Sequence, residues 1–215
     1  MSSSGPSPTP RSAPEPDRSG TAITPPGLLV DPATLDQLSA RDRILHTAHD
    51  LFYRDGIRAT GIDRVIAESR VTKVTFYRHF PSKNELIVQY LALRHERWMG
   101  WFTDALQRHG GQGVPALVES LREWLASPTF RGCAFLNSVS EMGTSLPEAV
   151  SLTAQHKDDM REAIGTLLPA SPQRKRQAAA LALAVDGAIV QTQFTGASEE
   201  PLRQLKWLGE RVVSG

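Results

Sequence analysis

The sequence has little cysteine, few aromatic residues and almost no net charge. Cys133 is the only cysteine among 215 residues, which excludes an intrachain disulfide and a site built from several thiolates of one chain. No uninterrupted apolar run has the length of a membrane span, and the N-terminus lacks the apolar segment of a secretory signal. These absences favour a globular protein of a reducing cytoplasm.

The net charge of +1 is small because regions of opposite sign cancel. Residues 1–38 carry two basic and four acidic side chains, whereas residues 39–83 carry nine basic and five acidic ones. The rest of the chain carries 13 basic and 14 acidic side chains. Positive charge is therefore concentrated in residues 39–83, as expected of a region that meets an anion such as a nucleic acid.

Residues 1–38 contain eight of the 15 prolines, together with many Ser, Thr and Gly residues. A segment of this composition buries too little apolar surface to offset the entropy lost when it becomes ordered. The composition therefore predicts a disordered tail over residues 1–38, with at most a short turn of helix near residues 32–38.

Three short helices are predicted after the tail. Ser39 and Asp42 form an approximate capping box in front of an apolar face with helical spacing. Thr60 is predicted to open a second helix and Thr72 a third, with a link of about three or four residues between them. Two short helices joined so tightly cross at a steep angle, which is the helix-turn-helix arrangement.

The third helix lies within the sequence VTKVTFYRHF, residues 71–80, and combines apolar anchors with polar side chains. Phe76 and Phe80 are four residues apart, so they are predicted to hold this helix against the first two. The hydroxyl and cationic side chains then face outward, and the helix N-terminus offers free backbone N–H groups to a phosphate. Firm packing on one side and small polar groups on the other are what a DNA-recognition helix requires.

A capping box of the S-x-x-E type at residues 82–85 starts a long helix, predicted over residues 83–108. Separators rich in Gly, Pro and Ser divide the remainder into further helices, predicted at residues 114–126, 132–143, 146–168, 172–194 and 198–213. The predicted fold class is all-α. A three-helix unit with a helix-turn-helix spans residues 39–82, and a larger helical domain spans residues 83–215.

The sequence AHDLFYRDGIRATGIDRVIAESRVTKVTFYRHFPSKNELI closely resembles the DNA-binding unit of the TetR family of bacterial transcriptional repressors. The resemblance covers residues 41–86 and has the correct spacing throughout. The residues that match the family pattern are Phe52, Gly56, Thr60, Ile66, Thr72, Lys73, Thr75, Tyr77, Phe80, Lys83, Glu85 and Leu86.

The resemblance implies contacts to DNA from the second and third helices and from the start of the fourth. It implies phosphate contacts from Thr60, Tyr77, His79 and Lys83, and groove contacts from Thr72, Lys73, Thr75 and Arg78. Tyr77 and His79 also fit the alternative of ordinary half-buried side chains. Arg64 completes the set of candidate DNA-binding residues, although a solvated or backbone-steering role suits it better than reading bases.

Two positions depart from the family pattern. Arg70 lies in the turn, where the family often has glycine, and Val74 lies on the third helix, where glycine is also frequent. If the turn requires a positive φ, Arg70 is costlier there than glycine. A preference for particular bases therefore cannot be carried over from the family.

The larger domain contains all four tryptophans and several other candidates for an effector cavity. FRGCAFLNSVSEM, residues 130–142, resembles a segment that lines the effector cavity in some TetR-family members. A plain core explains any single candidate at least as well, and Cys133 is predicted to be a small buried hydrophobe. The candidate ligand-binding residues are Trp98, Trp101, Phe102, Trp124, Phe135, Asn137, Met142 and Met160.

Stripes of small and apolar residues run along the two last predicted helices, near residues 172–194 and 198–213. In the family these helices pair with those of a second copy as a four-helix bundle, and burial within one chain is the alternative. The resemblance therefore implies a homodimer in the cytoplasm, associated with the nucleoid.

The function implied is that of a repressor that binds palindromic operator DNA and is released by a small, largely apolar effector. One alternative is a DNA-binding regulator without an effector, and a less favoured one is a helical carrier or enzyme. His46 with His49, and His95 beside Glu96, lack a third metal ligand at motif spacing, and no phosphate-binding glycine loop follows a strand. The sequence therefore predicts no enzymatic activity, no cofactor and no metal site.

Overall fold

The computed structural model describes residues 25–215, and within this range every regular element is helical. A 3-10 turn at Leu35–Gln37 precedes the α-helices, and the all-α fold class is confirmed. The predicted ends of the helices from residue 83 onward lie within two residues of the observed ones. The helices are α1 (Ala40–Asp55), α2 (Ile62–Glu68), α3 (Lys73–His79), α4 (Lys83–Arg108), α5 (Gly113–Leu125), α6 (Ala134–Met142), α7 (Pro147–Thr166), α8 (Arg174–Thr195) and α9 (Glu199–Ser214).

Helices α1, α2 and α3 pack against one another around a small apolar core. The core includes Leu51 from α1, Val65 from α2 and Phe76 from α3, all of which are fully buried. Two of the predicted caps are present: Ser39 Oγ accepts a hydrogen bond from the N–H of Asp42, and Thr72 Oγ1 accepts one from the N–H of Thr75. Capping and anchoring together fix where α3 begins and which side of it faces outward.

Helix α2 begins one residue later than predicted, and Thr60 is not its cap. Gly61 occupies the N-cap position. Thr60 is instead fully buried, and its Oγ1 donates to the carbonyl oxygen of Gly56 at 2.7 Å. The hydroxyl thereby closes the turn between α1 and α2.

Helix α4 connects the three-helix unit of α1, α2 and α3 to the larger domain. It begins at the predicted capping box, where the N–H of Glu85 donates to Ser82 Oγ at 3.1 Å. Its 26 residues span about 39 Å at 1.5 Å per residue. Its first half packs on α1, and further along it contacts α5, α6 and α7. Helices α8 and α9 pack on each other at the far side of the domain.

Residues 25–38, which we call the N-terminal strap, belong to the predicted disordered tail but contact α1, and the short turn considered near residues 32–38 corresponds to the 3-10 turn. The backbone N–H groups of Leu29 and Val30 donate to the carboxylate of Asp50 on α1, each at 2.8 Å. Leu35 in the 3-10 turn is buried. Residues 1–24 of the predicted tail lie outside the described part of the chain.

One helix in the described range, Arg174–Thr195, is long and apolar enough to cross a membrane by length and composition alone. Its best window has a mean hydropathy of 1.2, and a third of that window is buried inside the protein. A single helix of this kind is weak evidence for a membrane span, because core helices of globular proteins meet the same criteria of length and composition.

Candidate nucleic-acid interface and effector cavity

Helix α3 presents a polar outer face on a firmly anchored helix. Phe76 and Phe80 are buried, with 6.2 Å between their ring centroids. Lys73 and Arg78 are exposed and Tyr77 is 42% exposed. The Tyr77 ring packs edge-on against Phe76, at 5.2 Å between centroids, so its hydroxyl is carried on a supported ring.

The remaining candidates on α3 are less accessible. Thr72 is exposed, but its Oγ1 lies 2.9 Å from Oγ1 of the half-buried Thr75. His79 is half-buried beside Phe80. Val74, one of the two positions that depart from the family pattern, is 79% exposed and lies on this outer face. A branched apolar group therefore stands among the candidate groove-reading side chains, where it suits contact with a thymine methyl group.

The second departure, in the turn between α2 and α3, carries backbone strain. Arg70 has a φ of 55°, and no other non-glycine residue in the described range has a positive φ. The strain expected for an arginine in the position usually held by glycine is therefore present. The guanidinium of Arg70 is directed to the strap, where Nη1 lies 2.5 Å from Oδ2 of Asp36.

Three predicted DNA contacts are engaged within the protein. The buried Thr60 hydroxyl is unavailable for a phosphate, which corrects its predicted role. Lys83 Nζ donates to the carbonyl oxygen of Ile57 at 2.6 Å, and burial lowers the pKa of this lysine. Arg64 is exposed but pairs with Asp55 at 2.9 Å and with Glu68 at 2.7 Å. Lys83 and Arg64 therefore already have partners within the protein, and a contact with DNA would use their remaining donors or compete with these partners.

A buried polar cluster, not found from the sequence, joins the strap, α1 and α4. Asp50 is 5% exposed and accepts hydrogen bonds from the strap and from Nδ1 of His49 at 2.8 Å. Arg94 of α4 is 1% exposed; its Nη1 donates to the carbonyl oxygen of Pro26, and its guanidinium lies 4.0 Å above the Tyr53 ring. Burial lowers the pKa of His49 to about 4, so its ring is neutral at pH 7. We call Asp50, His49 and Arg94 the buried polar cluster.

The predicted effector cavity is a closed aromatic core. Trp98 stacks on Phe102 at 4.6 Å between centroids and meets Trp101 and Trp124 edge-on, and all four rings are buried. The space beside them has a volume of about 10 Å³. Trp98, Trp124, Phe135 and Met160 line it, whereas Trp101, Phe102 and Met142 do not. A space of this size holds at most one water molecule, so these residues do not enclose an open effector site.

An open pocket lies instead where the DNA-binding unit meets the larger domain. Its volume is about 430 Å³, and Asn137 is the one predicted ligand-binding residue in its wall. Asn137 donates to the carbonyl oxygen of Arg131 and accepts from Gln193. We call this space the junction pocket; it is lined by Phe52, Tyr53, Arg54, Gly56, Tyr90, Phe130, Arg131, Ala134, Asn137, Ser138, Glu141 and Gln193.

The last two helices bury most of the predicted stripes within the chain but leave Leu208 of the second stripe and other apolar side chains uncovered. Leu181, Val185 and Ile189 of α8, and Leu202 and Leu205 of α9, are buried. These residues therefore hold the domain together and are not available to a partner. The large apolar side chains that stay exposed on the two helices are Leu183, Val190, Phe194, Trp207 and Leu208.

Within residues 25–215, no group of three or more His, Cys, Asp or Glu side chains is arranged to hold a metal ion. His95 and His156 come closest to such a group, with 3.2 Å between their Nδ1 atoms. Burial lowers the pKa of His156 to about 2. This pair is packed against the Phe135 ring, with His156 stacked at 3.7 Å, and belongs to the core.

Comparison with known proteins identifies relatives of the N-terminal three-helix unit and of the whole fold. Residues 44–90 match the family model described as "Bacterial regulatory proteins, tetR family". The chain is similar to the uncharacterized HTH-type transcriptional regulator YxaF of Bacillus subtilis (strain 168), with 41% identity over 51 residues. It is also similar to the HTH-type transcriptional regulator QacR of Staphylococcus aureus strain Mu50, with 30% identity over 61 residues.

These two similarities cover only part of each chain. They span 23% and 28% of this chain and 27% and 32% of YxaF and QacR. Among solved structures, SCO4454, a TetR-family transcriptional regulator from Streptomyces coelicolor, superposes with a TM-score of 0.71 at 29% identity, over 85% of this chain and 92% of that one. The reduced form of E. coli NemR has a TM-score of 0.70 at 20% identity, over 81% and 97% of the two chains, which is a likeness of fold.

Proposed function

We propose that this protein is a repressor controlled by a small molecule. The premise is that the chain belongs to the TetR family of bacterial regulatory proteins and is a transcriptional regulator with a DNA-binding domain. It would bind palindromic operator DNA as a homodimer in the bacterial cytoplasm, on the nucleoid. A small, largely apolar effector would release it. The observation that carries the proposal is the outer face of α3, where polar side chains stand exposed on a buried aromatic anchor.

The proposed DNA contacts follow from accessibility. Lys73, Tyr77 and Arg78 are exposed and need no rearrangement to reach DNA, whereas Thr72, Thr75 and His79 are placed for secondary contacts. Lys73 and Arg78 give two cations per protomer and four per dimer. If all four neutralise phosphates, log K should fall with log salt at a slope of about −3.6.

The proposed dimer rests on the uncovered face of α8 and α9. Leu183 is 75% exposed and Phe194 is 73% exposed, and they lie eleven residues, or about three turns, apart on one side of α8. Trp207 of α9 is 54% exposed. Large apolar side chains in such a set mark an interaction surface. A second copy would cover them and place two α3 helices one turn of the major groove apart.

A regulator without an effector is the second candidate, and the closed aromatic core favours it. An effector that entered this core would have to open a space of about 10 Å³ to several hundred. The first candidate, a regulator with an effector, remains consistent with this core if the ligand prefers the opened state, because binding would then be coupled to a conformational change. Thermal unfolding across a panel of apolar metabolites separates the candidates, because any ligand of the native state raises the melting temperature.

The test of DNA binding is a band-shift assay with the DNA upstream of the protein's own gene. We expect one complex at low salt whose stoichiometry is two chains per operator. The absence of any complex at low salt would refute DNA binding. The variant Phe194→Glu, which places a charge on the uncovered face, should yield monomers and lose the complex while its fold is retained.

A further inference from the structure

Two buried N–H groups of α4 have no hydrogen-bond acceptor in the described part of the chain. They are Nη2 of Arg94 and Nε1 of Trp98, and the two residues are 1% and 3% exposed. Because they are four residues apart, their side chains lie on the same face of the helix, one turn from each other. A buried donor without an acceptor destabilises a folded protein, so such a pair points to an ion or a water molecule bound between the two groups.

The charge of Arg94 also lacks a direct counter-ion. Its Nη1 donates to the carbonyl oxygen of Pro26 and lies 3.5 Å from Nε2 of His49, a ring that is neutral at pH 7. The nearby carboxylate of Asp50 bonds instead to His49 and to the strap. None of the ion pairs within residues 25–215 includes Arg94. A buried charge is normally paired, and an anion would supply the missing partner.

Arg94 and Trp98 both line the small space beside the aromatic core. Its volume of about 10 Å³ is close to what one water molecule needs. Lys157 of α7 lines the same space. One N–H of its ammonium group donates to the carboxylate of Asp186, and an ammonium group has two further donors. Donors from α4 and α7 therefore meet at one small space.

The N-terminus of α6 lies at the same space. Cys133, Ala134 and Phe135 line it, and Cys133, the N-cap residue, makes no capping hydrogen bond with its side chain. The first N–H groups of a helix have no acceptor within the helix, and the helix dipole favours an anion beside them. None of the residues that line the space is an aspartate or a glutamate. The surroundings are therefore rich in donors and positive charge.

We propose that this space binds one small monovalent inorganic anion of the halide class, such as chloride, which accepts hydrogen bonds from Arg94, Trp98 and Lys157 and from the start of α6. The anion is a structural part of the core and not an effector. The proposal is independent of the proposed function, because it concerns the stability of the protein without DNA.

The balance of donors and acceptors favours a halide over water. A halide ion accepts from every donor around it, whereas a water molecule also needs acceptors for its own two hydrogens. The lining offers apolar groups and the weak sulfur acceptors of Cys133 and Met160. A halide is only slightly larger than a water molecule, so small shifts of the side chains admit it. Sulfate and phosphate are too large for the space.

The electrostatic potential at the space agrees with this choice. His156 also lines it, and burial lowers the pKa of this histidine to about 2, with contributions from the positive charges of Lys157, His95 and Arg94. Those charges therefore act on the space itself. The His156 ring is neutral at pH 7 and neither adds to the positive charge nor offsets it.

The first test is whether the stability of the full-length protein depends on chloride. Urea unfolding is measured in sodium gluconate, and gluconate is replaced stepwise by chloride at constant ionic strength. Gluconate is a monovalent anion too large for the space. Only the folded protein has the site, so the equilibrium constant for folding should rise with chloride. Above the dissociation constant, it should rise about tenfold for each tenfold increase in chloride if one ion binds.

An equilibrium constant for folding that is independent of chloride would overturn the proposal. Sulfate at the same ionic strength separates the site from a general effect of salt. Sulfate stabilises proteins more than chloride does when the effect is exclusion from the surface. We expect the saturable stabilisation with chloride and bromide and not with sulfate. The reverse order, without saturation, would show a general effect of salt and refute the site.

Trp98→Phe tests the indole donor. The variant keeps an aromatic ring and loses the N–H, so about tenfold more chloride should be needed for half of the stabilisation. Trp101→Phe is the matched control one turn along α4, because Trp101 is also buried but does not line the space, and its Nε1 donates to Glu123. Both variants should be less stable than the wild type. Equal chloride dependence of the two would overturn the proposal.

A measurement on the wild type does not depend on how the variants fold. Crystals grown in sodium bromide should show an anomalous scattering peak within hydrogen-bond distance of Arg94 Nη2 and Trp98 Nε1. Bromide peaks only on the surface, with a water molecule between these two groups, would refute the anion site.

Discussion

The outer face of α3 and the buried polar cluster, which joins the strap, α1 and α4, treat polar side chains in opposite ways. On α3, Lys73 and Arg78 have no ion-pair partner in the described part of the chain and face water. In the cluster, the Asp50 carboxylate accepts three groups of the protein and is almost fully buried. Changes on α3 should therefore alter binding without altering stability, and changes in the cluster should do the reverse.

Removal of Asp50 should have the largest effect on stability. In Asp50→Ala the strap N–H groups lose their acceptor and the buried Arg94 loses a nearby negative charge. Breaking a buried charged network in this way costs about 3–5 kcal/mol. Urea unfolding followed by tryptophan fluorescence measures the loss.

The control for this variant is Asp36→Ala, which breaks exposed pairs with Arg43 and Arg70. Exposed pairs contribute about 0–1 kcal/mol, so its loss should be small. If the two variants unfold at the same urea concentration, the buried cluster does not have the proposed role.

The double variant Lys73→Ala, Tyr77→Phe should lower operator affinity by about 100-fold, since one contact to DNA is worth about 1–3 kcal/mol. The phenylalanine keeps the ring that packs on Phe76 and removes only the hydroxyl. The free energy of unfolding should change by less than about 0.5 kcal/mol, as for other surface substitutions.

Lys175→Ala, on the exposed start of α8, is the matched control and should bind the operator like the wild type. If the double variant bound the operator with unchanged affinity, α3 would not be the element that contacts DNA. Fluorescence anisotropy with labelled operator DNA provides both affinities.

The pH dependence of stability should depend on His156. Burial, aided by the charge of Lys157, lowers its pKa from 6.5 to about 2 in the folded protein. Below about pH 6.5 the unfolded chain takes up a proton that the folded chain does not, so stability is lost as pH falls. Between pH 7 and pH 5 this loss amounts to about 2 kcal/mol.

In His156→Gln the fall in stability between pH 7 and pH 5 should be smaller by about that amount. His49 remains in this variant, and its pKa of about 4 produces a fall of the same sign. Urea unfolding at pH 7 and pH 5 measures this fall in the free energy of unfolding. An equal fall in the wild type and in the variant would contradict the prediction.

The smallest effect is expected for Arg70→Gly. Glycine adopts the φ of 55° without the strain of about 1–2 kcal/mol expected for a side chain there. The freer unfolded chain of glycine and the loss of the exposed pair with Asp36 offset part of this, so stability should rise by at most about 1 kcal/mol. Arg70→Ala is the control, because it loses the same pair and keeps the strain. A glycine variant no more stable than the alanine variant would show that the turn is not strained.

Local signals predicted much of the fold. Ser39, Thr72 and Ser82 each precede an apolar helical face, and each caps a helix as expected. Thr60 shows the limit, because its pattern fits a cap equally well. Which of two adjacent residues caps α2 is decided by the closing bond from Thr60 to Gly56, and no spacing rule contains that bond.

Long-range contacts account for what the sequence did not predict. The composition of residues 25–38 indicates disorder, but composition does not register that backbone N–H groups find a buried carboxylate 20 and 21 residues away. The aromatic residues were correctly expected to cluster. Whether rings such as Trp98 and Phe102 fill their space or enclose a cavity depends on how they stack, which periodicity does not determine.

The strap also determines where a shortened version of this protein should begin. The family match begins at residue 44 and α1 at Ala40, so a shortened protein that starts at Ser39 would look complete. Such a protein would leave the Asp50 carboxylate without two of its donors and the Arg94 guanidinium without the Pro26 carbonyl. A protein shortened in this way should therefore be less stable than one that keeps residues 25–38, although similarity alone places the boundary after them.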